Sequence, residues 1–295
     1  MGMESKFDIY SKLKPANIPK TIFIQSETAN EELLNQFRES GISFPCIVKP
    51  DIGMKGLGVE KIQTEKALCD YSNRIQQHFL IQEFIDYINE IGVFYVRIPG
   101  STKGKITGIV HKDFLHIIGD GKHTLEQLIG NTPRSAFHSS SLKKTFADRM
   151  SEIIQKGEKV TLVPFGSHTR GARFSDYSHQ IDEQIESLID KISSDYQDFY
   201  YGRLDIMYKE WEQFKSDQEW KIIELNGAGS EPTHMYDPEH SLLFAMKEIT
   251  RHWRLLFHVS VANRKLGHSY SRFSEGWKMI MQSRQLEKHL KKITC

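Results

Sequence analysis

Two stretches decide the reading of this chain: Gly202-Arg203-Leu204-Asp205-Ile206-Met207 and Ile223-Glu224-Leu225-Asn226-Gly227-Ala228-Gly229. Both read as strands. Alternation along a strand puts Arg203 and Asp205 on one face, and Glu224 and Asn226 likewise on one face. The intervening residues Leu204, Ile206, Ile223 and Leu225 are apolar. If the two strands are neighbours, three oxygen ligands and one guanidinium converge. An oxygen-only set is what hard Mg²⁺ takes, with phosphate oxygens and waters completing its octahedron. Arg203 would then neutralise a transferring phosphoryl group. The solvent face of an ordinary strand is the plainer alternative, but burying such a polar face without purpose is costly.

Two clusters upstream fit the same chemistry. Phe44-Pro45-Cys46-Ile47-Val48-Lys49-Pro50 reads as a buried strand that delivers Lys49 to a fixed position, and Gly53-Met54-Lys55-Gly56-Leu57-Gly58 follows as a flexible loop. Glycines let backbone N–H groups approach an anion, and the lysines bring charge where a polyphosphate must be neutralised. This is not a Walker loop, because GxxxxGK[ST] is absent. Alone, the segment reads equally well as a hairpin turn with a solvated lysine. Leu80-Ile81-Gln82-Glu83-Phe84-Ile85-Asp86 is an apolar strand ending in a carboxylate, a suitable wall for a flat base. Glu90 beyond it is placed to accept hydrogen bonds from ribose hydroxyls. Solvated acids at a strand end are the simpler account of that cluster by itself.

In their order along the chain these clusters resemble the ATP-grasp superfamily: strand lysine, glycine loop with lysine, adenine-strand Glu, ribose Glu, Arg-x-Asp, Glu-x-Asn. The pattern is most similar to D-alanine–D-alanine ligases and related carboxylate–amine ligases, which Arg203-x-Asp205 and Glu224-x-Asn226 match residue for residue. Gly119-Asp120-Gly121-Lys122-His123-Thr124 and the Leu125–Ile129 segment after it look like part of the cyanophycin-synthetase and glutathione-synthetase-like branch. The resemblance covers roughly residues 15–245. It implies an α+β ATP-grasp fold, two lobes clasping ATP. Lys49, Lys55 and the loop at Gly56 would bind phosphates; Glu83 and the backbone of Phe84 and Ile85 would hold adenine; Glu90 would hold ribose. Asp205, Glu224 and Asn226 would carry two Mg²⁺ ions, with Mn²⁺ able to substitute.

The implied reaction activates a carboxylate as an acyl phosphate, which an amine attacks to form a carbon–nitrogen bond, with release of ADP and phosphate. Such chemistry is positioning and charge neutralisation and needs no protein nucleophile. Arg203 and Arg170 are the catalytic candidates. Arg170 lies in Ser167–Phe174, where relatives place a residue facing phosphate or a substrate carboxylate. Relatives also carry a substrate-binding domain ahead of the first ATP-grasp strand. That domain is expected to be shortened here: either substrate contacts come from the loops, the tail and a partner subunit, or the natural protein has more sequence upstream. Two rival readings keep the same ATP site: a phosphotransferase, and a nucleotide-binding regulatory or membrane-surface module without turnover.

Composition excludes other classes. The 295 residues hold 39 Lys+Arg against 38 Asp+Glu, with 39% hydrophobic, so disordered and collagen-like readings fail. No apolar run approaches the ~20 residues of a membrane span, and no signal-peptide pattern opens the chain. Lys6 stands where a myristoylation motif wants Ser or Thr. Cys46, Cys69 and Cys295 lack metal-ligand spacing. A cytoplasmic protein is the expectation, acting on small-molecule carboxylates and amines, with no nucleic-acid motif. A homo-oligomer is left open.

The charge is uneven. Residues 251–295 hold ten basic and two acidic residues, a net +8, which leaves −7 on the first 250. Apolar residues there recur at three- and four-residue steps and predict two amphipathic helices. The plainer reading docks their apolar face on the body; the other lays them on an anionic membrane surface. The expected division is a lead-in segment 1–20, a small lobe 21–87, a large lobe 88–250 and a basic helical extension 251–295.

Strands are expected at Thr21–Gln25, Pro45–Lys49, Val59–Gln63, Leu80–Phe84, Gly92–Arg97, Lys105–His111, Tyr201–Tyr208 and Trp220–Leu225. Helices are expected at Asn30–Ser40, Glu65–Phe79, Leu125–Ile129, Ser141–Lys156 and Gln180–Ser194. Lesser candidates are Arg97 and Lys112 near strand ends, and Ser230 and Glu231 beside the acyl acceptor. His111, His116 and His123 read as structural.

Overall fold

The computed structural model describes residues 4–136, 139–163, 166, 171–196 and 198–294, and of 140, 141, 144 and 294 the backbone alone. The first sheet is antiparallel, ordered β1-β4-β2-β3, from β1 (Thr21–Ile24), β2 (Cys46–Pro50), β3 (Glu60–Ile62) and β4 (Phe79–Glu83). Its alternation sends Cys46, Val48, Phe79 and Ile81 into a core with α2 (Asn30–Ser40) and α3 (Glu65–Ile75). Lys49 and Gln82 therefore point to the other face, where they meet. α2 ends as predicted, where Gly41 takes a left-handed φ of 65°. α3 stops short of the expected Phe79, because Gln76 turns left-handed and Phe79 opens β4 instead. The Phe79 ring packs edge-on against Tyr71 of that same helix, 5.3 Å between centroids.

The second sheet is ordered β11-β10-β5-β6-β9 and is also antiparallel. It comprises β5 (Asn89–Val96), β6 (Lys105–Asp113), β9 (Arg173–Asp176), β10 (Tyr201–Tyr208) and β11 (Trp220–Asn226). One face buries Ile91, Val93, Leu204 and Ile206 against Ile185, Ile189 and Ile192 of α7 (Glu183–Asp195). The lead-in segment contributes more than its polar composition suggested: Lys6–Ser11 forms helix α1, capped by Ser5. From there Ile9, Tyr10 and Leu13 join this core together with Leu80 of β4, so α1 ties the two sheets together.

The opposite face of the second sheet is divided. Phe94, Val96 and Tyr201 are covered by Val259 of the long helix α9 (Leu242–Lys265). The remainder carries the polar residues described below.

A third, smaller core surrounds the pair β7 (Leu115–Ile118) and β8 (Lys159–Val163), with α4 (Leu125–Asn131), α5 (Pro133–Ala136) and α6 (Ser139–Thr145). The helix expected over Ser141–Lys156 is formed only as far as Thr145, in α6. After α6 and a 3-10 turn at Ala147–Arg149 the chain runs extended, Ile153 bridging Thr124 and Ile154 fully buried. Burying Ile154 in that core outweighs local helix propensity. The Gly119–Thr124 stretch is a folding device: Asp120 Oδ1 accepts from the N–H groups of Lys122 and His123, and Thr124 and Gln127 close a capping box on α4. β7, β8 and β9 were not among the expected strands, although β8 (KVTLV) alternates exposed and buried in strand fashion.

The tail forms the two predicted helices, α9 and α10 (Phe273–Thr294). Leu290 of α10 is fully buried in the first-sheet core, with Leu286 and Ile293 packed beside it.

Candidate active site

The register brings the two deciding stretches together as neighbours. Arg203 of β10 pairs with Asn226 of β11, and Asp205 with Glu224. β5 lies on the other side of β10, where Gly92 faces Asp205. A Cβ on Gly92 would stand 3.0 Å from Arg203 Cδ and from Asp205 Oδ1, so glycine is what leaves room for these side chains.

Four charges meet on this face. Arg203 Nε and Nη2 donate to the two oxygens of Asp205 at 2.7 and 3.1 Å. Lys112 of β6 reaches Asp205 Oδ1 at 3.0 Å and Glu90 Oε1 of β5 at 2.7 Å. Asn226 Nδ2 lies 3.3 Å from Asp205 Oδ2. Glu90 Oε2 accepts from the Gly166 N–H at 3.1 Å, an approach that a side chain at Gly166 would block. Lys112, Glu90 and Asp205 are each at most 3% exposed.

Their proton affinities follow from burial set against partners. Burial by itself would raise the Asp205 carboxyl, but Arg203 and Lys112 overcome it and hold the carboxyl low. Glu90 goes the other way: burial raises it and Lys112 offsets only part. For Lys112, burial opposes its charge while Asp205 and Glu90 more than restore it. Such a group is a poor stability device, since desolvating each ion costs several kcal/mol. A buried polar cluster on a sheet otherwise packed with apolar side chains is a functional-site signature.

Lys49 approaches from the first sheet. Its ammonium donates to the Tyr10 hydroxyl at 2.7 Å, Gln82 Oε1 at 2.8 Å and the Ile223 carbonyl at 3.1 Å. The Tyr10 hydroxyl in turn donates to the Ile223 carbonyl. Burial pulls Lys49 down to about 7, with the charge of Glu224 working against the shift and Lys6 adding to it. Glu224 also acts on Lys6 and on Arg203, so it stands electrostatically between the lysines and the four-charge cluster. Tyr10 and Lys6 carried no signal that sequence reasoning could use, because α1 itself was not foreseen.

The glycine loop closes on left-handed turns at Lys55, Gly56 and Gly58. Gly58 is required, since a Cβ there would meet Pro50 Cγ at 2.8 Å. Lys6 Nζ bonds the carbonyls of Asp51 and Gly53 at 3.3 Å, pinning the loop's start to α1. Lys55 is exposed and pairs with Glu287 of α10 at 3.0 Å. An exposed pair of this kind contributes about 0.2–1 kcal/mol, so Lys55 can move to an anion at little cost.

Of the remaining expected residues, Glu83 Oε1 accepts from the Lys20 N–H at 2.9 Å, and Lys61 covers the Phe84 ring at 3.5 Å. Ile85 follows Phe84 after the end of β4. Ser230 Oγ donates to the Gly227 carbonyl at 2.7 Å, and Glu231 accepts from the Tyr236 hydroxyl at 2.5 Å. Arg97 stacks over Tyr200. Arg170 lies outside the described residues. Sequence reasoning also missed the network that docks α9: His234 Nε2 to Glu248 at 3.1 Å, Glu248 to Arg251 Nη2 at 2.5 Å, and Arg251 Nη2 to the Thr107 carbonyl at 2.6 Å.

Residues 8–109 match the RimK-like ATP-grasp domain. With the two antiparallel sheets and their facing lysine and acidic clusters, that match defines an ATP-grasp fold. Comparison with curated proteins returned no match. Similar solved structures include D-alanine–D-alanine ligase from Bacillus anthracis, at 14% identity and TM-score 0.48, covering 89% of this chain and 67% of that one. VanG D-Ala:D-Ser ligase from Enterococcus faecalis is 14% identical with TM-score 0.47, covering 86% of this chain and 61% of that one. A bifunctional glutathione synthetase from Pasteurella multocida is 14% identical with TM-score 0.41, covering 85% of this chain and 35% of that one. The chain thus spans from about a third to two thirds of the length of these proteins.

Proposed function

We propose that the chain is an ATP- and Mg²⁺-dependent ligase that activates a carboxylate as an acyl phosphate for attack by an amine, on substrates of amino-acid or peptide type. The observation that carries this reading is the buried Lys112–Glu90–Asp205–Arg203 cluster with Glu224 and Asn226 at its edge. Asp205, Glu224 and Asn226 on paired strands would supply the oxygen donors that Mg²⁺ requires once Asn226, whose Nδ2 faces Asp205 Oδ2, turns its amide oxygen inward and Asp205 gives up part of its pairing with Arg203 and Lys112. The metal, when bound, would neutralise charge on the phosphates. Arg203 and Lys112 would orient the transferring group and balance the charge of Asp205, while Lys49 and Lys55 bind phosphates from the opposite sheet. Lys49 would exchange its neutral acceptors for phosphate oxygens, regaining full charge as it does so. In this reading Glu83, Phe84 and Ile85 flank adenine, and ribose competes with Lys112 for Glu90. Residues 21–87 then serve as the small lobe and 88–250 as the large one.

A cavity of about 880 Å³ adjoins the end of β11 at Gly227 and Ala228, walled by Asp8 of α1 and Arg264 of α9. It would offer the acceptor a place beside the end of β11, with a carboxylate and a guanidinium in its lining to suit a zwitterion. The test supplies Mg-ATP with a pooled set of amino acids and short peptides and follows ADP, phosphate and new masses. Acceptor-dependent ADP release with a condensed product, lighter by one water, is expected. A stable phosphorylated product would replace ligation with phosphotransfer, and tight ATP binding without turnover would point to a regulatory module.

A further inference from the structure

The plainer expectation for the tail was docking of its apolar face on the body, and the structure satisfies it only in part. α9 buries Glu248, His252 and Val259. Its outer side presents Leu242, Met246, Trp253 and Phe257, spaced four, seven and four residues apart and therefore aligned in one stripe. Trp253 is 73% exposed and Phe257 65%. On α10 the buried residues come late, at Leu290, while the first turns expose Phe273, Trp277, Ile280 and Met281. Singly exposed apolar residues are ordinary; aligned aromatics on two consecutive helices mark a surface that something covers.

Charge selects the occupant. Lys247, Arg254 and Lys265 flank the α9 stripe, and Arg284 and Lys288 continue the outward side of α10; all are exposed. Of the two acids in residues 251–295, Glu275 accepts from the Arg272 N–H and Glu287 is held by Lys55 and Lys291. Two copies of so positive a surface repel each other, which disfavours self-association. Nucleic acid would satisfy the cations but leave Leu242, Ile280 and Met281 in water. An anionic lipid surface satisfies both, because aliphatic residues enter the acyl boundary, Trp suits the interface and basic residues meet the headgroups. No helix among the described residues is long and apolar enough to cross a membrane, so the contact is peripheral.

We propose that α9 and α10 seat this protein on an anionic membrane surface through the Trp253/Phe257 and Phe273/Trp277 stripes. The inference goes beyond the ligase reading and does not rest on it. The full chain is sedimented with vesicles of pure phosphatidylcholine and with vesicles containing phosphatidylglycerol, near physiological salt, while Trp emission is recorded. Binding to the anionic vesicles with a blue shift is expected, at least about tenfold above binding to the neutral ones. Trp253→Ser with Trp277→Ser should reduce that binding at least about tenfold, as should Arg254→Glu with Arg284→Glu, each with an unchanged melting temperature. The proposal is overturned by any of four results: no binding to anionic vesicles, equal binding to both kinds, binding that the well-folded variants retain, or a stable dimer or duplex-DNA complex that the Trp variants abolish.

Discussion

Gly92 is the residue on which the geometry of the site turns. In an ordinary strand, Gly→Ala stabilises by roughly 0.5–1 kcal/mol, because the glycine gives up more backbone freedom on folding. At position 92 the added Cβ would meet Val110 Cγ1 at 2.9 Å and both Arg203 and Asp205 at 3.0 Å. Gly92→Ala is therefore expected to reverse that sign, destabilising by about 1–3 kcal/mol and weakening ATP binding as Arg203 and Asp205 are pushed aside. Urea denaturation beside nucleotide titration checks both; a stabilised variant with intact binding would mean that the face is looser than described. Arg203, Asp205, Glu224 and Asn226 were legible because strand alternation alone places them. Gly92, Gly166 and Tyr10 were not, since their roles arise from which strand or helix lies next to them, and no local pattern records that.

Among the elements, α10 decides whether the tail belongs to the body. Leu290 is fully buried beneath the first sheet, whereas Trp277, thirteen residues earlier on the same helix, is 54% exposed. Leu290→Ala should cost about 2–5 kcal/mol, and Trp277→Ala should stay within about 0.5 kcal/mol. Denaturation midpoints of the two variants distinguish a docked helix from a peripheral one, which would give two values near zero. Strands and helices with clean periodicity, such as α2, β10 and β11, were readable in the sequence. The failures share one cause. Residues 152–155 were expected to be helical but leave the helix, with Ile153 bridging Thr124, because Ile154 is needed in a small core that its own neighbours do not announce. α1 was passed over because its polar composition concealed Ile9 and Tyr10, whose burial depends on residues far along the chain.

In the whole molecule, two sheets meet where Lys49 of the first reaches the backbone of β11 in the second. The first brings Lys49 and the glycine loop; the second brings the acidic and guanidinium cluster; α1 ties them, with Tyr10 touching both Lys49 and the backbone of β11. The order of motifs along the chain foretold this pairing of sheets, but not the tail's contribution to the cavity beside Gly227 or its exposed aromatic stripes. The central claim is that the cluster around Asp205 is a Mg-ATP site, and calorimetric titration of the full chain with ATP, with and without Mg²⁺, tests it most directly. Asp205→Asn and Glu224→Gln are measured alongside, with melting curves, because losing the charge of buried Asp205 leaves Arg203 and Lys112 undercompensated and costs about 3–5 kcal/mol. Half-buried Glu224 makes no such ion pair among the described residues and should leave folding intact. The account predicts Mg²⁺-dependent binding that weakens at least about tenfold in Glu224→Gln with its melting temperature unchanged. Equal binding with and without Mg²⁺, or full affinity in that folded variant, would contradict it.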